Sequence, residues 1–249
     1  MMFHMPQKML PDISLSIISK PIEQVDSFNF LGIILDSNLK WNAHTQKLCS
    51  KMSQINGILN GLKCVFPPKI LIMIYNSLIE SYINYGLLVW GTNHTRVHTL
   101  QKKAIRIISF SHYKSHTDPL FKTLGLLKVE DMYKLNLLKF YYKLNNYQMP
   151  HYFHEYIPIT NHIHVEEQSR YELRHTRVNV PIPQREFLKR NARYQLKMLI
   201  GNTDNCVLER VQNTSIVIFK RAVKIHLLND YKTICTIDNC YMYVCNLTN

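Results

Sequence analysis

Carboxylates are the residues that could carry metal-ion chemistry, and in this sequence they lie apart. Two-metal enzymes need carboxylates grouped tightly enough to hold divalent ions about 4 Å apart. The aspartates here occur singly, and the adjacent acids Glu130–Asp131 and Glu166–Glu167 fall at a predicted helix start and in a polar stretch. The sequence contains no Gly-rich phosphate loop, no G-x-S-x-G elbow and no H-E-x-x-H pair. We therefore assign no catalytic residue.

Cysteines are the second residue type that could form a site. Cys235, Cys240 and Cys245 repeat every five residues, with His226 upstream. Structural zinc sites usually bring cysteines in pairs two to four residues apart, and no such pair occurs here. We expect ordinary reduced cysteines, no metal site, no cofactor, and an intracellular protein of the nucleus or cytoplasm.

Basic residues give the strongest chemical signal. Thirty Lys and Arg face seventeen Asp and Glu, a net charge of +13. An excess of this size indicates a polyanionic partner, with nucleic acid first and an anionic membrane surface second. AT-rich codon usage would also enrich lysine. The apolar window from Ile70 to Trp90 carries Asn76, Glu80 and Asn84 near its middle, so we predict a buried helix and no membrane partner.

The N-terminal part must form the strands that position any site. Leu15 and Ile17 alternate with serines, and residues 28–35 form a dense apolar run, which together predict a short antiparallel β meander within residues 10–36. Gly32 lies inside that run. A glycine inside a strand marks a bulge or a close backbone approach. It could equally make room for a neighbouring side chain.

Three helices are predicted between Trp41 and Phe110, because apolar residues there recur three or four apart. "FPP" at 66–68 separates the first helix from the second. The apolar positions are Leu48, Met52, Ile55, Leu59 and Leu62 in the first helix, Leu71, Ile74, Tyr75, Leu78 and Tyr82 in the second, and Val97, Leu100, Ala104, Ile107 and Ile108 in the third.

The remaining chain continues this helical pattern. Met132, Leu135, Leu138 and Tyr142 mark a further helix, as do Phe219, Val223 and Leu227. A polar stretch near residues 145–168 interrupts them and is the predicted linker. The fold class is therefore α+β and mostly α: a short N-terminal antiparallel β meander, a three-helix bundle and a helical C-terminal region.

Five ordered blocks carry a resemblance to a known family. "FNFLGIILDSNLKWNAH", "INGILNGLK", "IYNSLIESYINYGLLVWG", "LQKKAIRII" and "HTDPLFKTLGLLKVEDMYKL" resemble the region that follows the palm in reverse transcriptases of non-LTR retrotransposons, particularly jockey-like elements. The resemblance covers roughly residues 1–150. "YELR" and "FKRAVKIHLL" are similar to the more variable C-terminal region of that family.

The resemblance implies domains and roles for named residues. It implies the end of the palm at 1–40, a thumb-like helical domain at 41–147, a linker at 148–169 and a C-terminal helical region at 170–249. The family's primer grip, which holds the primer 3′ end, corresponds to Phe30, Leu31 and Gly32. Cations of the thumb would contact an RNA–DNA template-primer duplex without regard to sequence. The candidates are Lys47, Lys51, Lys63, Arg96, Lys102, Lys103 and Arg106.

The family's Asp-Asp motif, fingers and most of its palm have no counterpart in these residues. We therefore expect a truncated polymerase that does not polymerise alone, whose partners include the missing palm and fingers, and whose full-length parent would use Mg²⁺. A helical interaction module retained by a host, with no role in nucleic-acid binding, is the alternative. A peripheral membrane protein is a third and weaker hypothesis.

Overall fold

Short antiparallel strand pairs near the N-terminus are followed by helices, which confirms the predicted α+β, mostly α, class. The computed structural model describes residues 1–4, 15–156 and 189–233. "YELR" and the three C-terminal cysteines lie outside the described residues. The chain forms two compact units. The first unit includes residues 1–86 and 90–115, and the second includes 87–89 and 116–240. The domain bounds at 40, 147 and 169 stay a prediction.

Two separate hairpins replace the predicted meander strands. Strand β1 (Ser16–Ile17) pairs with β2 (Lys20–Pro21), and β3 (Ser27–Phe30) pairs with β4 (Ile33–Asp36). The apolar run from 28 to 35 is therefore not one strand, and that expectation was wrong. Leu31 and Gly32 form its turn with φ of +48° and +82°. Positive φ at both central residues is the pattern of a type I′ turn, whose backbone twist suits a hairpin.

Helix α1 (Asn42–Leu62) has Trp41 as its N-cap residue and follows a turn that is held by Asp36. One carboxylate oxygen of Asp36 accepts hydrogen bonds from the backbone N–H groups of Lys40 at 2.8 Å and Trp41 at 3.3 Å. This fixes the passage from β4 into the helix. Four members of the predicted stripe, Leu48, Met52, Ile55 and Leu59, are buried as predicted, whereas Leu62 is only half-buried.

The second predicted helix contains a π-helical turn. It comprises α2 (Pro68–Ile74), the π-helical turn Tyr75–Glu80 and α3 (Ser81–Asn84). Its buried residues recur every fourth position: Leu71, Tyr75, Ile79 and Ile83. Four-residue steps would drift about 40° each around a regular α-helix. The wider π turn offsets that drift and keeps one face inward. Leu78 and Tyr82 are therefore exposed, contrary to the predicted stripe.

Helices α4 (Leu87–Trp90) and α5 (Thr95–Ile108) follow. In α5, Val97, Ala104 and Ile108 are buried as predicted, whereas Leu100 and Ile107 are only half-buried. Polar residues tie the three helices together. Gln101 donates its Nε2 hydrogen to the Tyr75 hydroxyl at 2.8 Å.

Helices α1 and α5 lie side by side and run in the same direction. Near their starts, Asn93 Nδ2 donates to Asn42 Oδ1 at 3.0 Å. Further along, Asn56 Nδ2 donates to the carbonyl oxygen of Leu100 at 3.0 Å. Because both contacts advance together along the two helices, their C-terminal halves also face each other.

The second unit is helical throughout its described part. Its elements are α6 (Asp118–Leu124), α7 (Val129–Asn145), α8 (His151–Tyr156), α9 (Ala192–Asn202), α10 (Asn205–Leu208), α11 (Arg210–Asn213) and α12 (Ile216–Asn229). The predicted stripes of α7 and α12 are buried as expected. The two helices pack through the rings of Tyr142 and Phe219, whose centroids are 5.2 Å apart. No helix within 1–4, 15–156 and 189–233 has the length and apolarity to cross a membrane.

Candidate nucleic-acid interface

A groove of about 740 Å³ runs between the C-terminal halves of α1 and α5. Three of the seven predicted nucleic-acid-binding residues line it: Lys63 from the end of α1, and Lys103 and Arg106 from α5. The other lining residues are small, polar or aromatic: Ser53, Asn56, Gly57, Asn60, Thr99, Leu100, Ile107, Phe110, Ser111 and Tyr113. A side chain added at Gly57 would meet nothing within 4 Å. The glycine therefore leaves the groove wall open.

The groove lies in a part of the chain that is poor in acidic residues. Residues 37–117 contain ten Lys or Arg and one acid, Glu80, which does not line the groove. None of those ten cations pairs with a carboxylate in the part of the chain that the structure describes. A concave surface lined by charge of one sign concentrates oppositely charged ligands, and phosphate chains are such ligands.

Arg106 combines a structural contact with available donors. Its Nε donates to the carbonyl oxygen of Ser115 at 2.9 Å, which holds the loop after α5. Partial burial lowers the pKa of its guanidinium, although arginine remains charged in proteins. The two Nη groups donate to no acceptor among the described residues. A planar pair of donors of this kind suits the two oxygens of a phosphate.

The structure separates the other predicted cations from the groove. Arg96 lies seven residues before Lys103, two turns along the same face of α5, so it extends the line of cations toward the N-terminal end of that helix. Lys102 does not line the groove. Lys47 and Lys51 each lie nine residues before a lining asparagine, which places them about 180° around α1 from it.

The primer-grip candidates lie at the other end of α1. Tyr85 donates its hydroxyl hydrogen to the carbonyl oxygen of Leu31, and a Cβ on Gly32 would lie 3.5 Å from the Tyr85 ring. Gly32 thus lies against a neighbouring side chain, the alternative left open above, but its positive φ is what favours glycine. Phe30 and Leu31 are exposed.

His44 fixes the distance from this hairpin to the groove. The backbone N–H of Ile34 donates to His44 Nδ1 at 3.4 Å. Burial, with a smaller effect from Lys47, lowers the His44 pKa and so favours the neutral ring that can accept this bond. Lys63 lies nineteen residues further along α1, or about 28 Å at the helical rise. Phe30, Leu31 and Gly32 therefore do not line the groove.

Two aromatic residues of the groove were missed by sequence reasoning. Phe110 and Tyr113 follow α5 and line the groove beside Lys103 and Arg106. The available signal was the alternation of aromatic and basic residues in "RIISFSHYK". In the described residues, no group of three His, Cys, Asp or Glu side chains is placed to hold a metal ion.

Part of the chain is similar to a known polymerase. Over 133 residues it is 28% identical to a probable RNA-directed DNA polymerase from transposon BS of Drosophila melanogaster. The similarity supports a relation to reverse transcriptases. It covers 47% of this chain and 15% of that protein, so the chain spans a small part of its relative. No family model matches the chain, and no solved structure matches it.

Proposed function

We propose that this chain is part of the RNA-directed DNA polymerase of a non-LTR, jockey-like retrotransposon and that its first unit holds the template-primer duplex. The groove between α1 and α5 is the surface that binds the nucleic-acid backbone. One observation carries the proposal: Lys63, Lys103 and Arg106, distant in sequence, converge on one groove that no carboxylate lines. The similarity to a transposon polymerase supports the same reading.

The chemistry of the groove suits an RNA–DNA hybrid bound without regard to sequence. A-form-like duplexes present a wide, shallow minor groove and are bound mainly through shape and backbone contacts. Such contacts require cations and small polar groups rather than base-reading side chains. The lysines supply point charges and the guanidinium of Arg106 supplies a fork of donors. Ser53, Asn60 and Thr99 add short polar side chains along the walls.

The β3–β4 hairpin is the second part of the proposal, as the primer grip. Leu31 is 74% exposed and holds a φ of +48°. A left-handed conformation costs a non-glycine residue about 1–2 kcal/mol, and asparagine is the usual residue at this turn position. An exposed, strained leucine supports a contact role. His44, which contacts the hairpin, lies about 28 Å from Lys63 along α1, the length of about eight base pairs of B-form duplex.

The palm and fingers of such a polymerase are the proposed partners of this region. They would supply the catalytic aspartates and the Mg²⁺ sites, so residues 1–249 by themselves should not polymerise. The alternative, a helical interaction module without nucleic-acid binding, expects cations spread evenly over all faces of the protein. The convergence of Lys63, Lys103 and Arg106 on one groove that no carboxylate lines favours the nucleic-acid interface instead.

The test compares two triple variants of equal charge change. One replaces Lys63, Lys103 and Arg106 by glutamine, and the control replaces Lys47, Lys51 and Lys102. Binding of the full chain to a labelled RNA–DNA hybrid is measured by anisotropy over a series of salt concentrations. Each lost phosphate contact lowers the slope of log affinity against log salt by about 0.9 for B-form duplex, and we expect a comparable value here. The groove variant should lose about two to three units.

The control variant should lose less than one unit of slope, since its lysines lie outside the groove. Equal losses in the two variants would contradict the groove as the binding surface. Salt-independent binding of the unmodified chain, or no binding at all, would contradict the nucleic-acid function itself. The Lys63→Gln/Lys103→Gln pair keeps the Arg106 contact to Ser115 and shows whether any loss follows from the loop rather than from charge.

A further inference from the structure

We propose that the groove ends in a stacking platform for an unpaired base, formed by Phe110 and Tyr113. The ligand of the site is then a duplex with a single-stranded extension rather than a blunt duplex. This inference rests on the proposed function, because it assumes that the groove holds a nucleic-acid backbone. It adds a second contact of different chemistry at one end of the same groove.

The loop that carries the two rings is held in place. Helix α5 ends at Ile108, and the N–H of Ser111 donates back to the carbonyl oxygen of Arg106 at 3.0 Å. The N–H of Ser115 donates to the carbonyl oxygen of His112 at 2.9 Å. The side chain of Arg106 then binds the carbonyl oxygen of Ser115. These contacts close the loop against the last turn of α5 and fix where its aromatic residues lie.

Phe110 has a backbone conformation that is unfavourable for a non-glycine residue. Its φ is +53°, a region where a non-glycine residue is less stable by about 1–2 kcal/mol. At the end of α6 in the second unit, the residue with positive φ is a glycine, Gly125, with a φ of +62°. Phenylalanine in the corresponding place after α5 is 41% exposed. Tyr147 after α7 has the same φ and is 85% exposed, so it is the position of Phe110 in the groove beside Lys103 and Arg106 that points to a ligand for its ring.

The rings and charges of this loop match the chemistry of a nucleotide. Tyr113 is 69% exposed, and the imidazole of His112 lies 4.4 Å from its ring centroid. The ammonium of Lys114 lies 5.5 Å from the same centroid. Aromatic faces stack on any base with about 1–3 kcal/mol per base, and nearby cations hold the adjoining phosphates. Within a duplex the base faces are covered by their neighbours, so the platform requires a base outside the helix.

The experiment uses the full chain and two ligands that differ in one feature. The first ligand is a blunt RNA–DNA hybrid. The second is the same hybrid with a short single-stranded extension whose first unpaired base is 2-aminopurine. Affinity is measured by anisotropy, and stacking is measured by quenching of the 2-aminopurine fluorescence. We expect the extension to raise affinity about fivefold or more, the equivalent of 1 kcal/mol per stacked base, and to be quenched on binding.

The variant Phe110→Ala/Tyr113→Ala should remove the difference in affinity between the two hybrids and the quenching of 2-aminopurine. Phe110→Tyr/Tyr113→Phe keeps both rings and should keep both effects. The matched control is Phe66→Ala/Tyr82→Ala, which removes two rings of the first unit that are 40% and 43% exposed and do not line the groove. It should behave as the unmodified chain.

Three results would overturn the inference while leaving the proposed function intact. These are equal affinity of the unmodified chain for both hybrids, an affinity gain without quenching, and a gain that survives removal of both rings. If neither hybrid binds in a salt-dependent manner, the proposed function fails and the platform fails with it. A protein partner for the two rings would produce the first of these results.

Discussion

The two units use lysine and arginine in different ways. In the second unit, the ammonium of Lys128 lies 2.9 Å from an Asp118 oxygen and 4.3 Å from the centroid of the Tyr231 ring. Lys134 lies 2.9 Å from Asp131. In the first unit, the ten cations of residues 37–117 pair with no carboxylate among the described residues. Lys128 and Lys134 thus stabilise the fold of the second unit, whereas the cations of the groove remain available to a ligand.

Tyr231 shows what pairing achieves in the second unit. Its hydroxyl donates to Asp131 at 2.5 Å and accepts from the backbone N–H of Lys128 at 2.9 Å. Lys122 donates to the Tyr231 carbonyl oxygen at 3.1 Å. A buried carboxylate without partners would destabilise the protein, whereas here two donors satisfy Asp131. Charge in this unit is therefore part of its packing.

The largest expected effect comes from removing that tyrosine. Tyr231→Ala deletes a buried ring that packs edge-on against Phe121 and leaves Asp131 without its hydroxyl donor. Aromatic-to-alanine changes in cores cost about 3–5 kcal/mol, and we expect a loss in that range. Urea unfolding followed by circular dichroism measures it. Tyr147→Ala, at an 85% exposed position where the ring stacks on His154, is the control and should lower the free energy of unfolding by about 1 kcal/mol or less. Equal effects of the two changes would contradict the packing role.

Alkaline pH should destabilise the second unit more than the first. Burial raises the pKa of Tyr133 to about 12, burial raises that of Tyr141, and burial together with the Asp131 charge raises that of Tyr231. In the first unit, burial raises the pKa of Tyr75. A phenol whose pKa is raised in the folded state stabilises the protein fully below its unfolded pKa near 10. That stability is lost as the pH rises toward the folded value.

Each such phenol should lower the free energy of unfolding by about 1.4 kcal/mol per pH unit between pH 10 and its folded pKa. Urea midpoints measured across this window test the sign and slope. Tyr133→Phe is the sharpest variant, because its hydroxyl has no hydrogen-bond partner in the described residues. This variant should reduce the slope of the free energy of unfolding against pH by the contribution of one phenol, and it should leave the packing intact. An unchanged slope would show that Tyr133 ionises as readily in the folded chain as in the unfolded chain.

The smallest expected effect is the most direct test of the comparison. Lys128→Met keeps the apolar stem but removes the ion pair and the contact with the Tyr231 ring, which should cost about 1 kcal/mol. Lys103→Met makes the same change in the groove, where no carboxylate is lost, and should alter stability by less than about 0.5 kcal/mol. Hybrid binding should respond in the opposite order. Similar stability losses would contradict the distinction between the two units.

Sequence reasoning succeeded where the periodicity was regular. The residues of α1 and α7 recur three or four apart and carry no unusual backbone, so their buried faces followed from the spacing. It failed in the second helix, because nothing in the residues signals a π turn, and Ile79 and Ile83 were not expected inside. It also missed the hairpin turn. Leu31–Gly32 lacks the asparagine that normally marks a type I′ turn, and the apolar run was read as continuous.

Only part of the groove could be predicted from the sequence. The excess of cations in α5 was visible, and the resemblance supplied a ligand class. The convergence of Lys63 with Arg106 was not visible, since it depends on α1 and α5 running in parallel. The contacts Asn56–Leu100 and Asn93–Asn42, distant in sequence, fix that arrangement. Lys47 and Lys51 were predicted in the same set because a count of charged residues does not show which face of the helix each residue occupies. The rings of Phe110 and Tyr113 were overlooked for a related reason. Whether an aromatic ring can contribute to a binding site depends on which cations lie beside it in the folded chain.

Because the helix contains a π-helical turn at Tyr75–Glu80, the position of the β3–β4 hairpin depends on the number of residues between Tyr75 and Tyr85. Tyr75 is anchored by Gln101, and Tyr85, ten residues later, anchors the turn at Leu31. Deleting or inserting one residue between them would swing Tyr85 about 100° around the helix axis and release the hairpin tip. Substitutions at the exposed positions of this segment, such as Leu78 and Tyr82, should therefore be tolerated far better than insertions or deletions. The orientation of the hairpin therefore depends more on the number of residues in this segment than on their types.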